Sequence, residues 1–282
     1  MRLFCFGYGY SAEALVRKLS PRLTSAAGTR TSLPDTPEPG IALATYTGDG
    51  PSSEVRRLLE GATHVLVSIP PDLEGDAVLR HFAEDLAALP DLTWTGYLST
   101  VGVYGDCNGA WVDEAAPVRP NSERSLRRAQ AERGWMTFGE ETGHRVDIFR
   151  LAGIYGPGRS VIDNLRKGTA RRVVKPGQVF NRIHVDDIAR VLSAAIDAQT
   201  EHRIFNVSDD EPAPPEDVVV YAAELLGLPV PPAVPFAEAG LTGLAASFWG
   251  ESKRVRNGRI RGDLGVDLVY PTYREGLRAL AG

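Results

Sequence analysis

An apolar strand pattern at residues 2–6 (RLFCF) runs directly into Gly7-Tyr8-Gly9-Tyr10-Ser11-Ala12, and a helix pattern follows at 11–20. Ala12, Leu15, Val16 and Leu19 fall on one face of that helix, and Pro21 ends it. In such a unit Gly7 allows a tight turn and Gly9 lets the backbone come close to a pyrophosphate. A small residue at position 12 lets the helix pack on the strand. The helix start then offers unpaired N–H groups and a positive dipole end to an anion. A glycine turn without a ligand would need less, but its place between strand and helix favours a dinucleotide over residues 7–12.

Strand and helix patterns go on alternating. Strands are predicted at 23–28, 41–45, 64–69, 93–99 and 145–151. Helices are predicted after Ser52-Ser53, at 76–89 and over 122–141, with Gly134 and Gly139 weakening the second half of the last. This order implies an α/β fold: a Rossmann, doubly wound parallel sheet with helices on both faces. The second half adds a Gly-, Arg- and Lys-rich stretch at 153–182, a helix at 184–197, a strand at 203–207 and a proline-rich segment around a helix at 215–226. The expected division is a dinucleotide-binding domain of residues 1–155, to which 182–208 return. Residues 156–181 and 209–282 would form a smaller C-terminal substrate lobe and tail.

Thirty-one Lys and Arg against 36 Asp and Glu leave a net charge of −5, which argues against a nucleic-acid partner. Cys5 and Cys107 suit neither a disulfide framework nor a metal site, and point to a reducing, cytoplasmic compartment. No stretch approaches the roughly 20 apolar residues of a membrane span. His184 with Asp186 and Asp187 lacks a metal-ligand arrangement and reads as a strand end, with an Asp capping the next helix. His64, His81, His144 and His202 show no ligand spacing, so no metal is expected.

Preference for one dinucleotide is read after the second strand. Gly28-Thr29-Arg30-Thr31-Ser32 stands there, with no acid before Asp35. An acid would accept from a ribose 2′-hydroxyl, whereas Arg30 suits a 2′-phosphate, with Thr29 and Ser32 as hydroxyl donors. NADP(H) is therefore expected ahead of NAD(H), unless Arg30 is a plain surface residue.

Further motifs occur at Leu98-Ser99-Thr100-Val101-Gly102-Val103-Tyr104-Gly105, Arg150-Leu151-Ala152-Gly153-Ile154-Tyr155-Gly156-Pro157-Gly158, Arg182-Ile183-His184-Val185-Asp186-Asp187 and Phe205-Asn206-Val207. In this order, after the glycine turn, they resemble the extended short-chain dehydrogenase/reductase superfamily, the NAD(P)-dependent epimerase/dehydratase group. Ser68-Ile69-Pro70-Pro71-Asp72 and Ser252-Lys253-Arg254-Val255-x-Asn257 look like an atypical subgroup. The resemblance implies hydride transfer coupled to proton transfer through a Tyr-x-x-x-Lys pair, with a Ser or Thr orienting the substrate. Thr100 matches the Ser/Thr position, but Arg124 stands where Tyr belongs and Arg128 where Lys belongs. A guanidinium stays protonated, so Arg124 cannot be the acid or base.

Tyr104 is then the nearest substitute proton donor, with substrate or water as the other route and a packing role as the plainer one. Arg128 would hold the nicotinamide ribose. Ser68, Ile69 and Pro70 would run past the cofactor, and Arg124 and Arg182 would meet an anionic substrate. Arg159, Lys167, Arg171, Arg172 and Lys175 make the neighbouring lobe basic. The function implied is an NADP(H)-dependent oxidoreductase or epimerase acting on a carbonyl or sugar-nucleotide-like anion. The rival is a non-catalytic NADP(H) sensor of the same fold. A homodimer through helices near 76–89 and 122–136 is expected by analogy alone.

Overall fold

The computed structural model describes residues 1–36, 39–201 and 203–282, which leaves His202 outside the described residues. Seven strands form the main sheet: β1 (Arg2–Phe6), β2 (Ser25–Arg30), β3 (Ile41–Thr45), β4 (His64–Val67), β5 (Trp94–Thr100), β7 (Val146–Leu151) and β11 (Ile204–Val207). The others are short pairs: β6 (Trp111–Val112) with β13 (Arg254–Val255), β8 (Gly153–Tyr155) with β10 (Arg182–His184), and β9 (Arg172–Val174) with β12 (Ala233–Pro235). The main sheet runs β11-β7-β5-β4-β1-β2-β3 and every pairing in it is parallel. From β1 the chain adds β2 and β3 on one side, then crosses back to place β4 on the other. That reversal opens a crevice beyond the carboxyl ends of β1 and β4, where such sheets take ligands.

Parallel strands buried on both faces favour apolar residues, which β1 and β4 supply; β7 also buries Asp147 and Arg150, each in an ion pair. Helices α1 (Tyr10–Leu19) and α6 (Val185–Asp197) cover one face, with Leu15, Leu19, Ile188 and Leu192 at 0% exposure. Helices α2 (Ser53–Leu59), α3 (Ala77–Ala87) and α4 (Glu123–Thr142) cover the other, around Phe6, Phe82 and Trp135. Each such side chain contributes about 1.5–3 kcal/mol on burial.

Three local expectations change. The second strand begins at Ser25 and reaches Arg30, because a 3-10 turn at Ser20–Arg22 takes up the residues after α1. Helix α4 runs unbroken through its glycines, which serve packing instead. A Cβ on Gly134 would sit 2.9 Å from Leu79 Cδ1 on α3, and one on Gly139 would sit 3.1 Å from the His144 carbonyl. The cap of α6 is His184, whose Nδ1 accepts from the Asp186 N–H; Asp187 instead accepts from the N–H groups of Val269 and Tyr270.

The remaining helices are α5 (Val161–Arg166), α7 (Pro215–Leu225), α8 (Gly243–Phe248), α9 (Gly258–Gly262) and α10 (Tyr273–Ala281). Helices α5, α7 and α10 pack around Ile162, Ala222, Leu277 and Tyr155. A second small cluster gathers Phe180, Phe236 and Trp249. Both cysteines are free thiols. Among the described residues no helix is long and apolar enough to cross a membrane, and no three potential metal ligands converge.

Candidate functional site

The glycine turn is held from both neighbouring strands. Gly7 N–H donates to Thr29 Oγ1 (2.9 Å) and Tyr8 N–H to the Thr29 carbonyl (2.6 Å) on β2. Ser68, just past β4, donates its hydroxyl to the Gly7 carbonyl (3.0 Å). Gly7 has φ +89°, and a Cβ there would lie 2.7 Å from Ile69 Cγ2. Gly9 differs: its backbone is extended, and an added Cβ would meet nothing within 4 Å. It precedes α1, and no side chain caps that helix. The first N–H groups of α1 therefore face open space, the arrangement that takes a phosphate. The residues present fit a dinucleotide.

The turn opens into a cleft of about 790 Å³ beyond β1, β4, β5 and β7, closed on its far side by residues 179–182 and 245–253. Tyr10, Ser11, Ser68, Thr100, Arg124, Arg128 and Arg182 all reach it. Tyr8, Ala12 and Thr29 are buried behind the turn, and Thr29 accepts from the Gly7 N–H. Ile69 packs on Gly7, and Pro70 is exposed on the rim. Arg30 is neither free nor a plain surface residue: it pairs with Glu13 of α1 (2.5 Å), its guanidinium 5.5 Å from the Tyr8 ring.

Thr100 ends β5 and accepts from the Gly102 N–H (3.1 Å), facing Ser122 and Ser125 at the start of α4 across the cleft. Arg128, 8% exposed, donates to Tyr97 Oη (3.0 Å) and the Leu98 carbonyl (2.8 Å). Arg124, one turn earlier, lies with its guanidinium 5.5 Å from the Phe248 ring. Partial desolvation, then the like charge of Arg128, lowers the pKa of Arg124. Arg182 donates to the carbonyls of Phe180 and Ala213.

The structure corrects the expectation for Tyr104. It is 1% exposed and does not reach the cleft. Its hydroxyl donates to Asn206 Oδ1 (2.7 Å) and accepts from Arg150 (2.9 Å). Arg150 pairs in turn with Glu132 (2.7 Å), which also takes the Ser99 hydroxyl (2.5 Å). Burial raises the Tyr104 pKa despite Arg150, the reverse of what a proton-donating tyrosine needs. Tyr104 belongs to a structural network.

Of Arg159, Lys167, Arg171, Arg172 and Lys175, Arg159 alone among the described residues lines the cleft. Arg171 and Lys175 donate to the carbonyls of Ala239 and Trp249, so they hold the far wall from behind. Sequence reasoning missed what that wall shows the cleft: Phe180, Phe248, Trp249, and Glu251 paired with Lys253, which is 5% exposed. The Ser252-Lys253-Arg254 motif was the available signal, but long-range contacts bring it to the cleft, among them pairing of β13 with β6 and the bonds of Asn181 to Lys253 and Val255.

A parallel Rossmann sheet whose glycine turn opens into a cleft is a fold shared, over nearly the full chain, with solved epimerase and dehydratase structures of about 15% identity. Residues 94–208 match the model of the NAD dependent epimerase/dehydratase family. That match spans under half of the chain, which is similar to the family over this stretch. A functionally unknown conserved protein from Silicibacter pomeroyi is 48% identical, covering 99% of this chain and 97% of its own, with a TM-score of 0.89. Protein YeeZ of Escherichia coli is 30% identical over 180 residues, 62% of this chain but only 58% of YeeZ. A 3-diazoavenalumate denitrifying reductase from a Streptomyces is 31% identical over 140 residues, 46% of this chain and 45% of that protein.

Proposed function

We propose that the chain binds NADP(H) over the glycine turn and acts as a reductase on a small anionic substrate in the adjoining cleft. One observation carries this reading: the uncapped start of α1, with open space at Gly9, leads into a cleft lined by arginines. The bound dinucleotide would supply the hydride. Arg30 would hold the 2′-phosphate, sharing its guanidinium with Glu13. Arg128, fixed on Tyr97 and Leu98, would donate to the nicotinamide ribose hydroxyls. Thr100 would orient the substrate, and Arg124 and Arg182 would attract its charge. With arginines in place of the Tyr and Lys, and Tyr104 buried elsewhere, the proton would come from water or from the substrate. The reductase relative supports this choice over an epimerase.

The same replacement of Tyr and Lys by Arg124 and Arg128 favours a second reading, an NADP(H) sensor without turnover. Single-turnover oxidation of bound NADPH against a panel of carbonyl and anionic acceptors separates the two. Absorbance loss with any acceptor supports the reductase, and tight binding without oxidation across the panel supports the sensor. For cofactor choice, Arg30→Glu should weaken NADPH far more than NADH by calorimetry. Equal losses would remove the 2′-phosphate contact.

A further inference from the structure

We infer, resting on the reading that the cleft holds substrate beside the dinucleotide, that this ligand is a compact aromatic monocarboxylate. Its carboxylate would sit on Arg124 and its ring against the wall of Phe180, Phe248 and Trp249.

The charge arrangement is the first support. Arg124 and Arg128 stand four residues apart on α4, and both face the cleft. Like charges at that spacing repel. Neither forms an ion pair among the described residues, although Arg150 close by is matched to Glu132 and Arg145 to Asp147. Arg128 cannot swing away, because Tyr97 and Leu98 hold it. A carboxylate between the two would relieve the repulsion and match the planar guanidinium fork.

The wall opposite is aromatic. Phe180 and Trp249 meet edge to face at 5.2 Å, and Phe248 is 52% exposed at the mouth. Gln178 Nε2, donating to the Glu251 carbonyl (2.6 Å), and Lys175, on the Trp249 carbonyl, fix this wall in place. Phe248 is the exposed ring, Phe180 is part-buried and Trp249 is 8% exposed; an aromatic face beside a guanidinium recognises a flat apolar body that carries an anion. Glu251, the one carboxylate among the described residues lining the cleft, is taken up by Lys253, so Arg124 and Arg128 stay without an ion pair. The volume of about 790 Å³ must also take the nicotinamide half of the dinucleotide. That shared volume favours a compact anion over a second nucleotide.

The test titrates 2-naphthoate, its neutral amide 2-naphthamide, and uridine diphosphate glucose into the full chain by calorimetry, with and without NADP+. Expected is binding of 2-naphthoate in both states, and an amide weaker by about tenfold or more. Arg124→Ala should cost a similar factor, and Phe248→Ala should also weaken binding. Both side chains are exposed, and a urea midpoint confirms folding. Equal affinity for acid and amide, loss of 2-naphthoate when NADP+ is added, tighter binding of the sugar nucleotide, or no heat with 2-naphthoate would each overturn the inference. Titration of NADP+ alone reads the cofactor site separately. Absent NADP+ binding with 2-naphthoate intact would sink the reductase reading and leave the aromatic acid site standing.

Discussion

Gly7→Ala and Gly9→Val should fail in opposite ways, though the two glycines lie in one turn. At Gly7 the backbone has φ +89°, which costs an L side chain about 1–2 kcal/mol. The new methyl would also stand 2.7 Å from Ile69 Cγ2 and 3.2 Å from Ile69 N, an overpacking of about 1–3 kcal/mol. Gly7→Ala should therefore lose about 2–5 kcal/mol of stability. At Gly9 the backbone is extended and nothing lies within 4 Å of a Cβ, so Gly9→Val should shift stability by no more than about 1 kcal/mol. Its methyls would instead fill the space before α1 that a pyrophosphate needs. Two charge-assisted N–H bonds lost there, at about 1.5–3 kcal/mol each, weaken NADPH about a hundredfold to ten-thousandfold. Urea unfolding and NADPH calorimetry on both variants read the two quantities apart. Wild-type NADPH affinity in Gly9→Val, or wild-type stability in Gly7→Ala, would refute the reasoning.

Glu132→Ala should cost about 3–5 kcal/mol, because it strands the buried Arg150 guanidinium; a loss under 1 kcal/mol in urea unfolding would show that Arg150 finds another partner. Tyr104→Phe should cost about 1–3 kcal/mol through Arg150 and Asn206 while leaving NADPH affinity unchanged, and an unaltered urea midpoint would remove Tyr104 from the network. Burial, then the nearby amino terminus, pulls the His64 pKa down to about 4 from 6.5. Between those values the unfolded chain binds the extra proton, so stability should fall as pH drops through that window. His64→Gln should flatten part of that fall, and parallel urea midpoints for both proteins from pH 7 to 4.5 would argue against it.

The sheet was legible because its signals are local. RLFCF before Gly7, HVLVSI before Pro70 and RVDIFRL before Ala152 each name a buried strand, and the glycine pattern places the turn between β1 and α1. The alternation of strands and helices fixes their parallel sense. The opposite wall of the cleft was not legible. Phe248 and Lys253 lie more than a hundred residues from Thr100 and meet the same space through tertiary contacts such as those of β13, Asn181 and Gln178. Tyr104 was misread because its position after β5 says where its backbone goes but not which way its ring turns. Arg150, Glu132 and Asn206, on three other elements, decide that. Glu13 beside Arg30 was in principle visible, being on the first turn of α1, but the pairing needs the distance between a helix and a strand end.

Pairing of β13 with β6 also has a temporal side. Every strand of the main sheet is synthesised by Val207, whereas the segment that shuts the cleft arrives with residues 245–255. During translation the phosphate-facing turn can be built first and stand open to the cell's nucleotides while the aromatic side is still inside the ribosome. The nascent chain would thus meet its dinucleotide before it has any means of choosing a second ligand.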